Sequence, residues 1–175
     1  VTRAIQKRKG PRFAKVMWYA SWAGFPPQSR TIPMVLPALW LLAGKKREAG
    51  FQLAGWGTSA ISGTIKQLMR RPRPSPDEFS VAKANIGGTS FPSGHVINYT
   101  GVYGTLAILI HHNIRNTFLR RTLIGAILTK LALVGPSRIY LGHHWFTDVC
   151  TSYLLGSSWV LILNDLYKRG LGKGK

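Results

Sequence analysis

The chain has 175 residues, which is enough for one domain rather than two. It carries 24 Lys and Arg against 5 Asp and Glu, giving a formal net charge of +19, and 45% of its residues are hydrophobic. This balance leaves two classes, a nucleic-acid binder or a membrane protein with basic loops. The single Cys150 excludes an internal disulfide and any multi-cysteine zinc site.

The chain begins with an amphipathic segment over residues 1–30. This segment mixes basic residues with Trp18, Tyr19 and Trp22, and such aromatic side chains are typical anchors at a membrane interface. We therefore expect an interfacial helix here. It is followed by a helical bundle over 31–167 and a basic tail over 168–175.

The apolar residues of the bundle fall into five blocks. Several blocks are shorter than the roughly 20 residues that span a bilayer, so each is equivocal by itself. However, they hold very few charges, whereas a soluble amphipathic bundle would carry a charged stripe. The predicted fold is all-α, a membrane-embedded bundle of about five spans plus the N-terminal interfacial helix. The blocks are Thr31–Gly44, Gly50–Met69, Val96–Ile110, Thr122–Pro136 and Val149–Leu166.

Short basic loops predict the orientation of the bundle. If the blocks alternate, Lys45–Arg47, Arg115–Arg121 and Lys168–Lys175 share one side, which should be cytoplasmic. The loop Arg70–Pro92 and the turn Ser137–Thr147 then face outward. We expect an integral protein, of the plasma membrane, whose polar site faces the extracytoplasmic side. The outward loop is also basic, which contradicts the rule unless its arginines serve another purpose.

Two cations lie close together on the outward side. Lys66 closes the second block, Pro72 and Pro74 stop its helix, and Arg73 stands between the two prolines. Taken alone, this pair is better explained by ordinary basic anchoring at the interface.

The long outward loop ends in Pro92-Ser93-Gly94-His95, where the third block begins. Ser93 is a favoured N-cap residue, Gly94 lets a ligand approach the backbone, and the free N–H groups of a helix start bind anions. His95 would stand in the first turn beside such an anion. The same residues could also simply start a helix.

A third polar group lies before the fifth block. If the last helix begins near Trp145, His144 and Asp148 meet on one face. The carboxylate could hold one imidazole nitrogen protonated and aim the other outward as a nucleophile, while Arg138 binds phosphate oxygens. A structural hydrogen bond or a metal ligand is the alternative. A metal site would find few acids, because Asp148 is the only carboxylate near these histidines outside the loop.

Together these groups place cations, histidines, a helix start and one carboxylate on the same side, which suits a phosphate dianion. At this point the chain resembles the type 2 phosphatidic acid phosphatase superfamily. The complete three-part signature is matched in order over Lys66–Asp148. Six residues separate Lys66 from Arg73-Pro74, and Pro92-Ser93-Gly94-His95 follows. Five residues then separate Ser137-Arg138 from His144, and three more separate His144 from Asp148.

The resemblance implies a metal-independent lipid phosphatase without a cofactor. It implies that His144 attacks phosphorus, that Asp148 orients His144, and that His95 protonates the leaving oxygen and then activates water. The substrate would be a phosphate monoester or diphosphate of a membrane lipid: phosphatidic acid, phosphatidylglycerol phosphate or polyprenyl diphosphate. The partners are this lipid and the bilayer, with no nucleic acid. The phosphate would be bound by Lys66, Arg73, Ser93, Gly94 and Arg138.

The resemblance also implies six spans in the lipid phosphatases, so we expect a first helix to be absent or replaced by the amphipathic segment. Two alternatives stay open. One is a vanadate-dependent haloperoxidase-like protein or a soluble acid phosphatase of the same superfamily. The other is a non-enzymatic basic membrane or nucleic-acid-binding protein, which explains the charge of +19 but not the histidines.

Overall fold

A computed structural model of the protein describes residues 2–7, 10–75 and 88–172, which form eight α-helices and no strand. The remaining parts of the predicted interfacial segment (1 and 8–9), of the outward loop (76–87) and of the basic tail (173–175) lie outside the described residues. The helices are α1 (Thr2–Gln6), α2 (Pro11–Trp22), α3 (Gln28–Leu42), α4 (Lys46–Gly55), α5 (Thr58–Met69), α6 (Gly94–Asn113), α7 (Thr117–Tyr140) and α8 (Phe146–Gly172).

Helix α6 lies at the centre of the bundle. It packs most extensively against α8 and α7, while α4 and α5 cover another flank. Val96, Tyr99 and Tyr103 of α6 are buried in one apolar cluster with Val134 of α7 and Val149 of α8. This packing brings the start of α6, the end of α7 and the start of α8 to the same end of the bundle.

Small residues let the helices approach closely. A Cβ atom on Gly101 of α6 would lie 2.4 Å from the carbonyl oxygen of Gly55 and 2.4 Å from Oγ1 of Thr58. No larger side chain fits at this crossing without moving backbone. Small residues also allow helices in membranes to approach closely. The small residues of the second apolar block predict such a close approach.

The second apolar block is not one helix, so the prediction of a single helix over Gly50–Met69 is wrong. Helix α4 ends at Gly55 and α5 starts at Thr58. The Thr58 hydroxyl donates a hydrogen bond of 3.2 Å to the Gly55 carbonyl, which closes the turn. Glycines at 55 and 57 weaken the helix here because they lose the most conformational freedom on ordering.

Helix α2 covers the end of α7 near the polar site. Ser21 and Ser137 are fully buried, and their hydroxyl oxygens are 2.5 Å apart. Outside this contact, Trp18 and Tyr19 of α2 are 46% and 57% exposed. The helix is therefore two-sided, as an interfacial helix requires. The domain boundaries at 30 and 167 stay predictions.

One helix in the described part of the chain has the length and composition to cross a membrane. It is α8, over Phe146–Gly170, with a mean hydropathy of 1.3. Large apolar side chains are also exposed on the outer faces of other helices, including Leu42 at 85% and Phe118 at 82%. The number of spans stays a prediction.

Candidate active site

His144 lies in the loop between α7 and α8 and is buried. Its Nδ1 is 2.7 Å from the carbonyl oxygen of Ser90. Because a carbonyl only accepts, Nδ1 carries the proton and the neutral ring presents a lone pair at Nε2. Burial lowers the pKa of His144 to about 4, although the nearby Asp148 acts in the opposite direction. The ring is therefore neutral and its Nε2 is available as a nucleophile.

Asp148 lies beside His144, as their spacing of four residues predicts, and its role in orienting the imidazole stays a prediction. Its Oδ2 is 3.7 Å from Nδ1 of His144, which is too long for a hydrogen bond. That oxygen instead accepts from the Ser90 hydroxyl and, at 2.9 Å, from the backbone N–H of Trp145. The other oxygen accepts from Nη1 of Arg71 at 2.7 Å. The carboxylate fixes Ser90, whose carbonyl in turn fixes the imidazole.

Arg138 is in the last turn of α7, and its side chain is fully buried. Its Nη2 is 2.6 Å from Nδ1 of His143, and its guanidinium carbon lies 5.3 Å from the Phe25 ring centroid. Its Nε and Nη1 have no hydrogen-bond partner among the described residues. A buried cation with unbonded donors is costly unless an anion meets it. An anion bound at this guanidinium would satisfy both donors.

Arg73 and Lys66 hold the short segment 88–90 against the site. Arg73 donates from Nε to the carbonyl of Gly88 at 3.2 Å and from Nη1 to the carbonyl of His143 at 2.7 Å. The same Nη1 is 3.5 Å from Nε2 of His144. Lys66 donates from Nζ to the Thr89 carbonyl at 2.8 Å. Both cations therefore lie at the loop that carries Ser90, and burial lowers the pKa of Arg73.

The start of α6 supplies the next group. Ser93 is fully buried, and its backbone N–H donates to Oγ of Ser152 at 2.8 Å. Its own hydroxyl makes no cap hydrogen bond, and its Oγ has no partner in the described ranges. A Cβ on Gly94 would meet only Lys66 Cε at 3.9 Å and Ser62 Oγ at 3.8 Å. These are ordinary contacts, so packing within the protein does not require glycine at 94.

His95 faces the same site from the first turn of α6. The charges of Arg138, His144 and Arg73 all act on it, so these groups are near one another. The Phe25 ring lies edge-on to the imidazole, with centroids 4.9 Å apart. On the other side, a Cβ on Gly24 would lie 2.2 Å from Cδ2 of His95. The loop between α2 and α3 can pack this close to the imidazole only because residue 24 is glycine.

The structure thus brings all eight predicted site residues to one end of the bundle, where α5, α6, α7 and α8 begin or end. Their roles stay predictions. Sequence reasoning missed Ser90, Arg71 and Gly24. Arg71 could have been found, because a buried carboxylate such as Asp148 requires a cation or several donors. Ser90 and Gly24 carry no such signal. Among the described residues, no group of three or more His, Cys, Asp or Glu could hold a metal ion.

The fold and the site define a class of helical protein in which a neutral buried histidine lies near the buried Arg138 and the partly buried Arg73. The family model of the PAP2 superfamily matches residues 49–170, and the chain belongs to that superfamily. This confirms the resemblance seen in the sequence.

Individual relatives are lipid phosphatases by name. The chain is 38% identical over 97 residues to phosphatidylglycerophosphatase B of Bacillus subtilis, covering 55% of this chain and 46% of that protein. It is 29% identical over 128 residues to decaprenylphosphoryl-5-phosphoribose phosphatase of Mycobacterium tuberculosis, covering 71% of this chain and 66% of that protein. The chain therefore spans about half to two thirds of the length of these two relatives.

Two solved structures share the fold. The crystal structure of a transmembrane PAP2-type phosphatidylglycerolphosphate phosphatase from Bacillus subtilis aligns with a TM-score of 0.82 at 24% identity, covering 96% of this chain and 83% of that one. The structure of LpxE from Aquifex aeolicus aligns with a TM-score of 0.71 at 18% identity, covering 93% and 91%. At these identities the two likenesses show that the fold is shared.

Proposed function

We propose that this protein is a lipid phosphatase that hydrolyses a phosphate monoester or diphosphate through a phosphohistidine on His144, without a metal. The observation that carries the proposal is the buried Arg138, whose Nε and Nη1 have no partner among the described residues. Its other nitrogen bonds His143, the residue next to His144. The names of the relatives agree with such an activity.

The first step is attack on phosphorus. Arg138, Arg73 and Lys66 bind the phosphoryl oxygens together with Ser93 and the backbone of Gly94 at the start of α6. Nε2 of His144 forms a bond to phosphorus while the bond from phosphorus to the leaving oxygen breaks. Nδ1 of His144 keeps its proton and donates a hydrogen bond to the Ser90 carbonyl. The imidazolium that forms is therefore stabilised by that carbonyl and, through the Ser90 hydroxyl, by Asp148.

His95 acts as the proton donor and then as the proton acceptor in the remaining steps. It donates a proton to the leaving oxygen, and the alcohol or phosphate departs. It then accepts a proton from water as the water oxygen attacks phosphorus. The bond between Nε2 of His144 and phosphorus breaks, its electron pair returns to nitrogen, and inorganic phosphate is released. Replacing His95 should slow departure least for substrates whose leaving group is already good.

We further propose an integral protein of the plasma membrane with about five spans and the site on the extracytoplasmic side. The basic stretches Lys45–Arg47 and Arg115–Arg121 lie at the end of the bundle opposite His144, because α6 separates its own start from Asn113. Such an excess of Lys and Arg in short loops is typical of the cytoplasmic side.

Phosphatidic acid, phosphatidylglycerol phosphate and polyprenyl diphosphate are the candidate substrates. The test is a phosphate-release screen of the purified protein in detergent micelles containing each lipid, beside the His144→Ala variant. We expect release by the wild type, unchanged in EDTA, and none by a folded variant. Release by the variant would refute the assignment. Loss in EDTA that a divalent ion restores would point to a metal mechanism instead.

A further inference from the structure

A cavity of about 340 Å³ opens beside His95. It lies between the loop from α2 to α3, helix α3, the turn between α4 and α5, and one face of α6. Its lining is mixed in chemistry, with the apolar or aromatic residues Val102, Tyr103 and Ile32 and the polar residues Arg30, Ser59 and Asn98. A cavity with such a lining suits a ligand that has an apolar portion and a polar portion.

Arg30 is a cation of this cavity without a carboxylate partner in the described part of the chain. Three acidic residues fall within that part, and each is engaged elsewhere. Glu48 accepts from the Tyr167 hydroxyl, Asp165 pairs with Arg169, and Asp148 pairs with Arg71. Arg30 itself is in the first turn of α3, and its side chain makes no hydrogen bond to the residues that the structure describes. Arg30 is exposed to solvent at the cavity, so an anionic ligand there can reach it.

The position of His95 decides which part of a substrate this cavity receives. His95 and Gly94 line the cavity, and a Cβ on Gly94 would lie 3.9 Å from Cε of Lys66, so the cavity borders the phosphate-binding groups. Under the proposed function, His95 protonates the leaving oxygen. The departing part of the substrate then extends from His95 into the cavity, whose lining includes Arg30.

We propose that Arg30 determines specificity by binding a second anionic group in the leaving part of the lipid, a phosphodiester or a phosphate. This inference rests on the proposed function and narrows its substrate class. Phosphatidylglycerol phosphate and polyprenyl diphosphate leave behind an anionic lipid. Phosphatidic acid leaves a neutral diacylglycerol, which gives Arg30 nothing to bind.

The test compares kcat/KM for phosphatidylglycerol phosphate and phosphatidic acid with the same acyl chains, in neutral detergent micelles. The proteins are the wild type, Arg30→Gln, Arg30→Lys and the control Arg12→Gln, which removes an exposed arginine from α2. We expect the wild type to prefer phosphatidylglycerol phosphate. Arg30→Gln should lower kcat/KM for that lipid about tenfold or more, as for loss of a hydrogen bond to a charged group, with less than about threefold change for phosphatidic acid.

Two control variants and a water-soluble substrate test whether the effect comes from the charge at position 30. Arg30→Lys should retain part of the preference and Arg12→Gln all of it, because only a cation at position 30 reaches the cavity. A water-soluble, deacylated phosphatidylglycerol phosphate should be a poorer substrate than the lipid, since it leaves the apolar part of the cavity unfilled. Good turnover of the soluble form would show that the second anion is recognised without a lipid.

Two results would overturn the role of Arg30 while leaving the phosphatase intact. These are a wild-type preference for phosphatidic acid, and an Arg30→Gln loss that is equal for both lipids or absent. If the wild type hydrolyses none of the three candidate lipids, polyprenyl diphosphate included, or if turnover survives His144→Ala, the proposed function itself is overturned. Arg30 makes no described side-chain bond, so its variants should fold, and their thermal unfolding in detergent checks this.

Discussion

Two polar clusters lie at opposite ends of α6, and they are built differently. At the far end, Lys45 donates to Oδ1 of Asn113 at 2.6 Å, and Nδ2 of Asn113 donates to the Tyr167 hydroxyl at 3.2 Å. That hydroxyl donates to Glu48 at 2.8 Å, and Arg47 donates to the Tyr167 carbonyl. This far cluster is closed, since every one of these side chains has a protein partner.

The cluster around His144 is closed on one side only. Asp148 is bonded to Ser90, Trp145 and Arg71. On the other side, donors of the buried Arg138 and the hydroxyl of Ser93 have no partner among the described residues. A partly bonded buried network costs stability, and proteins keep such costs at functional sites. The comparison shows that the far cluster ties helices together, whereas the cluster around His144 has donors without partners among the described residues, which bind an anion under the proposed function.

Removing one arginine from each cluster tests most directly whether the two clusters differ in function. Arg138→Met should lower kcat/KM about 10²- to 10³-fold, because it removes donors to the transferring phosphoryl group. Its melting temperature should stay level or rise, since an apolar side chain replaces an unpaired buried charge. Phosphate release and thermal unfolding in detergent measure the two effects.

The matched variant is Arg47→Met in the far cluster. It should keep activity within about threefold but lose stability, since Arg47 bonds Tyr167 and stacks on its ring. A fall of about 2–4 °C is expected for each kcal/mol lost in a chain of this size. If both arginines changed activity equally, the two clusters would not be different in kind.

Asp148→Asn tests the indirect role of the carboxylate. Because Nδ1 of His144 donates its hydrogen bond to the Ser90 carbonyl, the substitution should leave the tautomer of His144 unchanged. We expect kcat to fall about 10- to 100-fold, less than the roughly 10⁴-fold loss seen where a carboxylate itself fixes the tautomer. The exposed Asp165→Asn, which breaks only a surface pair with Arg169, is the control. A loss as large as 10⁴-fold would mean that Asp148 holds the imidazole directly.

Gly24→Ala tests the contact between the loop after α2 and His95. The added Cβ would lie 2.2 Å from the imidazole, so the ring or the loop must move. We expect kcat to fall about tenfold, the size of loss expected when a proton donor is misplaced. Gly125→Ala is the control, because nothing lies within 4 Å of its Cβ, and it should slightly stabilise α7. Unchanged turnover in Gly24→Ala would show that His95 needs no support from this loop.

The smallest expected effect is on the pH dependence of stability. Burial lowers the pKa of His144 to about 4, against about 6.5 in an unfolded chain. Between these values the unfolded chain binds a proton that the folded one does not, so stability falls as pH falls from 6.5 to 4. His144→Asn can keep the donor to Ser90 without titrating. From pH 7 to 4.5 its melting temperature should therefore fall a few degrees less than that of the wild type; an equal fall would contradict the low pKa.

The sequence predicts much of the site because its three motifs sit at helix ends. The start of α6 at Gly94 and of α8 at Phe146 follow from Ser93 and from the pattern after Trp145. Once those helices pack together, Arg138 at the end of α7 meets them. The break between α4 and α5 was not predicted, because the apolar pattern runs through the glycines that cause it.

The partners of the site residues could not be read from the sequence. Ser90 contributes its hydroxyl, which bonds Asp148, and its backbone carbonyl, which bonds His144. Because every residue has a backbone carbonyl, the sequence does not mark Ser90 as a partner of His144. Gly24 matters through an approach between segments that are 71 positions apart in the chain, 24 and 95. Both depend on tertiary packing, which has no local periodicity to reveal it.

The most direct test of the central claim is to trap the covalent phosphoenzyme. The protein is mixed with a substrate labelled with ³²P in its terminal phosphate, quenched in alkali, in which a phosphohistidine survives, and digested for peptide mapping. We predict label on the peptide that contains His144, none in His144→Asn, and more label when His95 is replaced and the leaving group is good. Phosphate release without label on His144, or label on another residue, would contradict the account.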